Sequence, residues 1–199
     1  MKIYLLGGRP CSGKTTIAYE LGQKYNMDVK YLDVYAQELI DNSTPKTPNI
    51  FSWKGISLTQ AMNGSPEVLF DTYLNAYDEM TPFFLDMLSN LDSQKIILEG
   101  AILTPKFVSL LENQYETKVC FLLTDDDFVR EKYIKRDYAQ EMIRQVGGKQ
   151  SLENLLKRDS IFAKYIVKEL KKYNYPSLEI HNKSEPQVNM SLVEGIFNL

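Results

Sequence analysis

Gly8-Arg9-Pro10-Cys11-Ser12-Gly13-Lys14-Thr15 has the spacing GxxxxGK[ST] of a phosphate-binding P-loop, and it follows directly on the apolar run Ile3-Tyr4-Leu5-Leu6. An apolar run this short, ending in a glycine-rich turn, predicts a buried strand over about residues 2–6. Ile17, Ala18 and Leu21 then recur at helical spacing and predict a helix over about 13–25. In that setting the backbone N–H groups of Gly8, Cys11, Ser12, Gly13, Lys14, Thr15 and Thr16 would surround an anion at a helix N-terminus. Lys14 would reach the outer phosphates, and the Thr15 hydroxyl would be a ligand for Mg²⁺. Gly8 and Gly13 supply backbone without side chains where a phosphate must come close.

Outward from this stretch, strand-like and helix-like segments alternate, the pattern of a parallel sheet covered by helices on both faces. Val29-Lys30-Tyr31-Leu32 predicts a second strand ending at Asp33. Ile96-Ile97-Leu98 predicts a third, ending at Glu99-Gly100, and Lys118–Leu123 a fourth. Ser177–Ile180 is a weaker fifth, placed after a helical pattern over about 151–173. The expected fold class is α/β: one P-loop NTPase domain over residues 1–199 with a five-stranded parallel sheet.

Two segments exceed the minimal alternation. Residues 42–94 are expected to form a helical insertion large enough to cover an acceptor. Its first part, 42–65, is polar, punctuated by proline and carries Phe51 and Trp53. Ser65-Pro66 and Thr81-Pro82 then read as two helix starts, each a cap followed by proline. Residues 125–150 string Arg130, Lys132, Lys135, Arg136, Arg144 and Lys149 through a helical pattern that ends at Gly147-Gly148. This is either a lid whose arginines meet phosphates, with the glycines as hinge, or a solvated helix face balanced by Glu131, Asp137 and Glu141.

Composition narrows the class. With 199 residues, 44% hydrophobic and 12% aromatic, the chain can bury one substantial core. A formal charge of −3 gives no general attraction to nucleic acid or to an anionic membrane, so neither is an expected partner. No apolar run approaches the ~20 residues of a membrane span, and the expected location is cytoplasmic. Cys11, Cys120 and His181 are the only cysteines and histidine, which supports neither a disulfide framework nor a zinc site.

The acids at the strand ends bear on reaction class. In open α/β sheets ligands bind beyond the C-terminal ends of the strands, where Asp33 and Glu99 are expected to face the P-loop. Phosphoryl transfer to a hydroxyl needs one carboxylate near the metal and one to accept the hydroxyl proton. Glu99 fits the first role and Asp33 the second. The competing, less favoured readings make Asp33 the cap of a helix over 34–40 and Glu99 a simple turn residue. A GTPase is not expected, because Leu123-Thr124-Asp125-Asp126-Asp127 lacks a guanine-reading lysine.

The motifs GGRPCSGKTT, Tyr31-Leu32-Asp33-Val34-Tyr35 and Ile97-Leu98-Glu99-Gly100-Ala101 resemble those of the P-loop kinases of small molecules, in particular the uridine kinase, pantothenate kinase and phosphoribulokinase branch. The 125–150 segment is similar to the lid of nucleoside monophosphate kinases, shikimate kinase and gluconate kinase, with Arg130 and Arg136 matching lid arginines. The resemblance implies an ATP- and Mg²⁺-dependent phosphotransferase acting on a hydroxyl of a small metabolite, with Asp33 as base and Glu99 supporting the metal. A nucleoside monophosphate kinase and a noncatalytic nucleotide-binding protein share the same motifs. Residues 42–94 match none of these families' acceptor-binding patterns, so the acceptor stays open.

Overall fold

In a computed structural model of the chain, describing residues 1–181 and 185–199, five strands form one wholly parallel sheet. They are β1 (Lys2–Gly8), β2 (Asp28–Tyr31), β3 (Lys95–Glu99), β4 (Glu116–Leu123) and β5 (Ser177–Glu179). Their spatial order is β2-β3-β1-β4-β5, with Leu5 opposite both Leu98 and Val119. The most apolar strands lie in the middle, as they must when both faces of the sheet are covered.

The two-residue period of a strand divides each one between two cores. Ile3 and Leu5 of β1, Ile96 and Leu98 of β3, and Val119 and Phe121 of β4 face one side. There they meet α5 (Pro66–Ser89), α6 (Pro105–Glu112) and α9 (Gly148–Tyr173) through Phe84, Leu88, Phe107, Leu111, Phe162 and Ile166. Tyr4, Leu6, Ile97, Cys120 and Leu122 face the other side. They pack on α1 (Lys14–Tyr25) and α10 (Pro186–Phe197) through Ile17, Leu21, Val193 and Phe197. A third core joins the two expected appendages. Met62 and Leu69 of the insertion pack with Val129, Tyr133, Ala139 and Met142 of the 125–150 segment and with Leu152, Leu155 and Leu156 of α9.

Several expectations need correction. Ser65-Pro66 starts a helix, its hydroxyl accepting from the Val68 N–H, but Thr81-Pro82 does not start a second: α5 runs through it. Ala76, Tyr77, Met80, Phe84 and Leu88 keep one buried stripe across Pro82, so packing outweighs the missing N–H. Thr81 Oγ1 instead donates back to the Tyr77 carbonyl. The second strand stops at Tyr31, and α2 (Leu32–Asn42) begins at once, which puts Asp33 in its first turn rather than at its cap. The 42–65 stretch holds two single-turn helices, α3 (Pro48–Phe51) and α4 (Leu58–Ala61). The helical pattern at 125–150 is broken into α7 (Asp126–Ile134) and α8 (Asp137–Arg144). Sequence reading missed α6 and α10, although Thr104-Pro105 and Glu185-Pro186 carry the same proline-start signal as Ser65-Pro66. Among the described residues no helix is long and apolar enough to cross a membrane.

Candidate active site

The phosphate loop links β1 to α1, and its glycines do different work. Gly8, at φ 121°, lies against β4, where a Cβ would meet the Leu122 carbonyl oxygen at 2.1 Å, so this glycine serves the sheet. Gly13, at φ 87°, has nothing within 4 Å of a would-be Cβ, so its open side is free for a ligand. Cys11 takes a left-handed conformation at φ 65°, costly for a residue with a side chain. Arg9 ties the loop to the sheet and to the start of α7. Its guanidinium donates to the Thr124 carbonyl at 2.7 Å and pairs with Asp126 at 2.7 Å.

Lys14 is buried, and its ammonium donates to the loop's own Arg9 carbonyl at 2.7 Å. Desolvation lowers its pKa, while Glu99 and Asp33 oppose the shift. Glu99 is the last residue of β3, directly beside β1. Its carboxylate accepts from Thr15 Oγ1 at 3.2 Å. Burial raises its pKa, Lys14 lowers it and Asp33 raises it further.

Asp33 reaches the same place from β2's end of the sheet. Its carboxyl accepts from the Ala101 N–H at 3.1 Å, so it holds the turn that follows Glu99. Gly100 permits this approach, because a Cβ there would come within 3.0 Å of Asp33 Oδ1 and 3.1 Å of Leu32 Cβ. The side chain remains open to solvent on one side while protein encloses it on the others. Enclosure raises its pKa, and Lys14 and the Ala101 and Ile102 N–H groups partly offset the rise. Lys14, Thr15, Glu99 and Asp33 thus meet at the C-terminal edge of β1, β3 and β2.

Among the described residues no cluster of three or more His, Cys, Asp or Glu could hold a metal by itself. Thr15 and Glu99 are hard oxygen donors that fit Mg²⁺, an ion that commonly completes its shell with water and substrate phosphate.

The two arginines expected in a lid part company. Arg136, in the break between α7 and α8, lies beside the Cys11 thiol, where it opposes the rise in thiol pKa caused by burial, and its charge also reaches Lys14. Arg130 points elsewhere: both of its terminal nitrogens donate to the Glu153 carboxylate, at 2.6 and 2.8 Å, on the exposed side of α7. The balanced-surface reading therefore holds for the outer face, where Lys135 pairs with Glu131 and Arg144 with Glu141. The inner face carries Phe128, Val129, Tyr133 and Met142 and is buried. Gly147-Gly148 starts α9. Gly147 is its left-handed cap, and Gly148 is packed so closely that a Cβ would lie 1.6 Å from the Met142 carbonyl oxygen.

Two walls of the site have no motif in the sequence. Outside the loop, between α1, α7 and α10, is a cleft of about 370 Å³ lined by Thr16, Ile17, Phe128, Lys132, Ile180 and Met190. That size and mixture suit a small organic ligand. On the opposite side Arg158 of α9 is buried, pairs with Asp159 at 2.8 Å and lies 4.1 Å over the Tyr73 ring. Asp159 also accepts from Tyr133 Oη of α7 at 3.0 Å. Tyr73 packs on Tyr77, centroid to centroid 4.1 Å, and edge-on to Trp53 at 6.2 Å. Desolvation pushes the Tyr73 phenol up to about 12, opposed by Arg158 and assisted by Asp33, which therefore lies within electrostatic reach. A helical stripe of tyrosines and an Arg-Asp pair read as ordinary core and surface in a sequence, so only their convergence marks them.

The fold recurs in solved structures. TT1252 from Thermus thermophilus is 15% identical, with a TM-score of 0.54, covering 100% of this chain and 96% of that one. A gluconokinase from Sinorhizobium meliloti 1021 is 9% identical, with a TM-score of 0.51, covering 99% and 89%. A deoxyadenosine kinase from M. mycoides is 15% identical, with a TM-score of 0.50, covering 100% and 99%. The fold is P-loop kinase-like. No family model and no curated protein matches the sequence. At these identities the likeness is one of fold, and it spans the P-loop kinase-like sheet, the insertion and the 125–150 helices together.

Proposed function

We propose that the protein is an ATP- and Mg²⁺-dependent phosphotransferase that moves a γ-phosphoryl group to a hydroxyl of a small molecule. One observation carries the reading: Lys14, the Thr15–Glu99 pair and the open carboxyl of Asp33 converge beyond three adjacent strand ends. A phosphate loop alone binds nucleotide. A loop with a metal-supporting acid and a second acid open to a cleft has the parts of in-line transfer.

In this reading the nucleoside lies in the cleft between α1, α7 and α10, and its phosphates run along the loop N–H groups. Lys14 leaves the Arg9 carbonyl for the β- and γ-phosphates, and Arg136 approaches the γ-phosphate from above Cys11. Mg²⁺, held through Thr15 and supported by Glu99, supplies neutralisation of phosphate charge. Asp33 accepts the acceptor's hydroxyl proton, and the Ala101 N–H keeps its carboxyl oriented. Arg130 enters only if its pair with Glu153 opens.

The test uses γ-labelled ATP, Mg²⁺ and a panel of nucleosides, sugars, hydroxy acids and nucleoside monophosphates. Label is expected to move to a panel member, and Lys14→Ala is expected to slow that transfer by about 10²-fold or more with an unchanged circular dichroism spectrum. Mg·ATP binding without transfer to any acceptor would favour a noncatalytic nucleotide-binding protein. Transfer by Lys14→Ala within about tenfold of the parent would remove the role given to the loop.

A further inference from the structure

We infer that the acceptor is an uncharged, hydroxylated ring compound seated against Trp53 and Tyr73, rather than a phosphorylated or carboxylated one. The inference rests on the phosphotransferase reading and concerns the wall opposite the loop. That wall is aromatic. Trp53 and Tyr73 meet edge to face and are each only half-buried, with Tyr77 and Phe162 packed behind Tyr73. Flat rings and the C–H faces of saturated rings both gain from such contact.

Two donors of this wall lack partners among the described residues: Trp53 Nε1 and Arg158 Nε, both buried. A buried N–H is normally paired, and one left unmade marks a place where a bound molecule can supply the acceptor. Hydroxyl, ether and carbonyl oxygens of a neutral ring meet that need.

Charge decides between neutral and anionic acceptors. The Arg158 guanidinium is already matched by Asp159, both nearly inaccessible to solvent. Asp33 adds a second carboxylate within reach of Tyr73 and Tyr77. Three further cations have partners elsewhere: Lys54 of the insertion donates to the Ser43 carbonyl, Arg130 is held by Glu153, and Arg136 stands on the loop side with Cys11. Because the Arg158–Asp159 pair carries no net charge, an acceptor bearing a phosphate or carboxylate would meet the carboxylate of Asp33 with no free cation of the wall to offset it, which disfavours it. A neutral ring meets no such penalty.

Trp53 is the only tryptophan in the chain, so its emission reports directly on this wall. The full-length protein, saturated with Mg²⁺ and a nonhydrolysable ATP analogue, is titrated with uridine, thymidine and myo-inositol, and in parallel with UMP, shikimate and gluconate. At least one neutral compound is expected to change the emission saturably and to bind at least tenfold more tightly than every anionic one. The nucleosides and myo-inositol distinguish a flat heteroaromatic ring from a saturated one. The preferred compound should also receive label from γ-labelled ATP. Tyr73→Leu and Arg158→Lys should each raise its KM, the latter by about tenfold or more, while the affinity for Mg·ATP stays within twofold. Because Arg158 is buried, Tyr73→Leu, at a half-buried position, keeps the test valid if Arg158→Lys fails to fold. Tighter binding of UMP, shikimate or gluconate overturns the inference, as does the absence of any response to the neutral set. Failure to bind Mg·ATP, or a neutral-ligand response without label transfer, instead overturns the phosphotransferase reading on which it stands.

Discussion

Asp33 shows how one side chain can be structural and chemical at once. Its carboxyl receives the Ala101 N–H and so fixes the turn after β3, yet the residue stays exposed to solvent. Its pKa is raised above the ordinary value of 3.8, mainly by desolvation. A carboxyl whose folded-state pKa is raised favours the folded state at pH below the unfolded value, and that contribution is lost as pH rises through the folded value. At pH 7 the ionised Asp33 therefore opposes folding. Asp33→Asn keeps an oxygen for the Ala101 N–H and should raise the Tm at pH 7, with the gain fading as pH falls below about 4. The same change should lower kcat by about 10²–10⁴, because asparagine accepts no proton. Calorimetric melting at pH 7 and pH 4, together with steady-state kinetics, checks both. A lower Tm at pH 7 with unchanged kcat would mean that the carboxylate serves only the turn.

At the scale of elements, α7 and α8 share one small core with α4, the start of α5 and the start of α9. The 42–94 insertion and the 125–150 segment are thus packed on each other rather than hinged independently at Gly147-Gly148. Gly148 is fixed by its contact with Met142, whereas Arg144, Gln145, Val146 and Gly147 are exposed. Movement of Arg136 onto phosphate would tighten the α7–α8 break and, through the Tyr133–Asp159–Arg158 chain, the acceptor wall. Tryptic cleavage at Arg144 should accordingly slow several-fold when Mg·ATP is added, since closure lowers the population of locally opened states. Mass spectrometry of the fragments measures it. Equal cleavage with and without nucleotide would leave α7 and α8 as static cover.

For the whole molecule, the site spans both faces of the sheet and both appendages, so a ligand bound there restrains nearly every part of the fold. Mg·ATP at about 100 times its Kd should stabilise the protein by about 2.7 kcal/mol. For a chain of this size that is a rise in Tm of roughly 5–10 °C. ATP with a chelator should give less, and Thr15→Ala should abolish most of the difference that Mg²⁺ makes. Scanning fluorimetry decides it, and an unchanged Tm at saturating Mg·ATP would show that the loop does not bind nucleotide.

The sequence by itself determined the core of this fold because its signals are local. The apolar strands with their two-residue period, the glycine spacing of residues 8–15 and the acids at strand ends each need only a few neighbouring residues to be read. The placement of Lys14, Thr15 and Glu99 beside the loop, and of Asp33 just past β2, was legible for that reason. Tertiary structure alone decided the order β2-β3-β1-β4-β5, which depends on packing between distant segments. It also decided the fate of Pro82, where a buried stripe overrode a local stop signal, and the separation of Arg136 from Arg130, which turns on a carboxylate 23 residues away. The Trp53–Tyr73–Arg158–Asp159 wall was illegible for the same reason: its members come from a turn and two helices, and none carries a signature until packing brings them together and leaves two buried N–H groups without partners among the described residues.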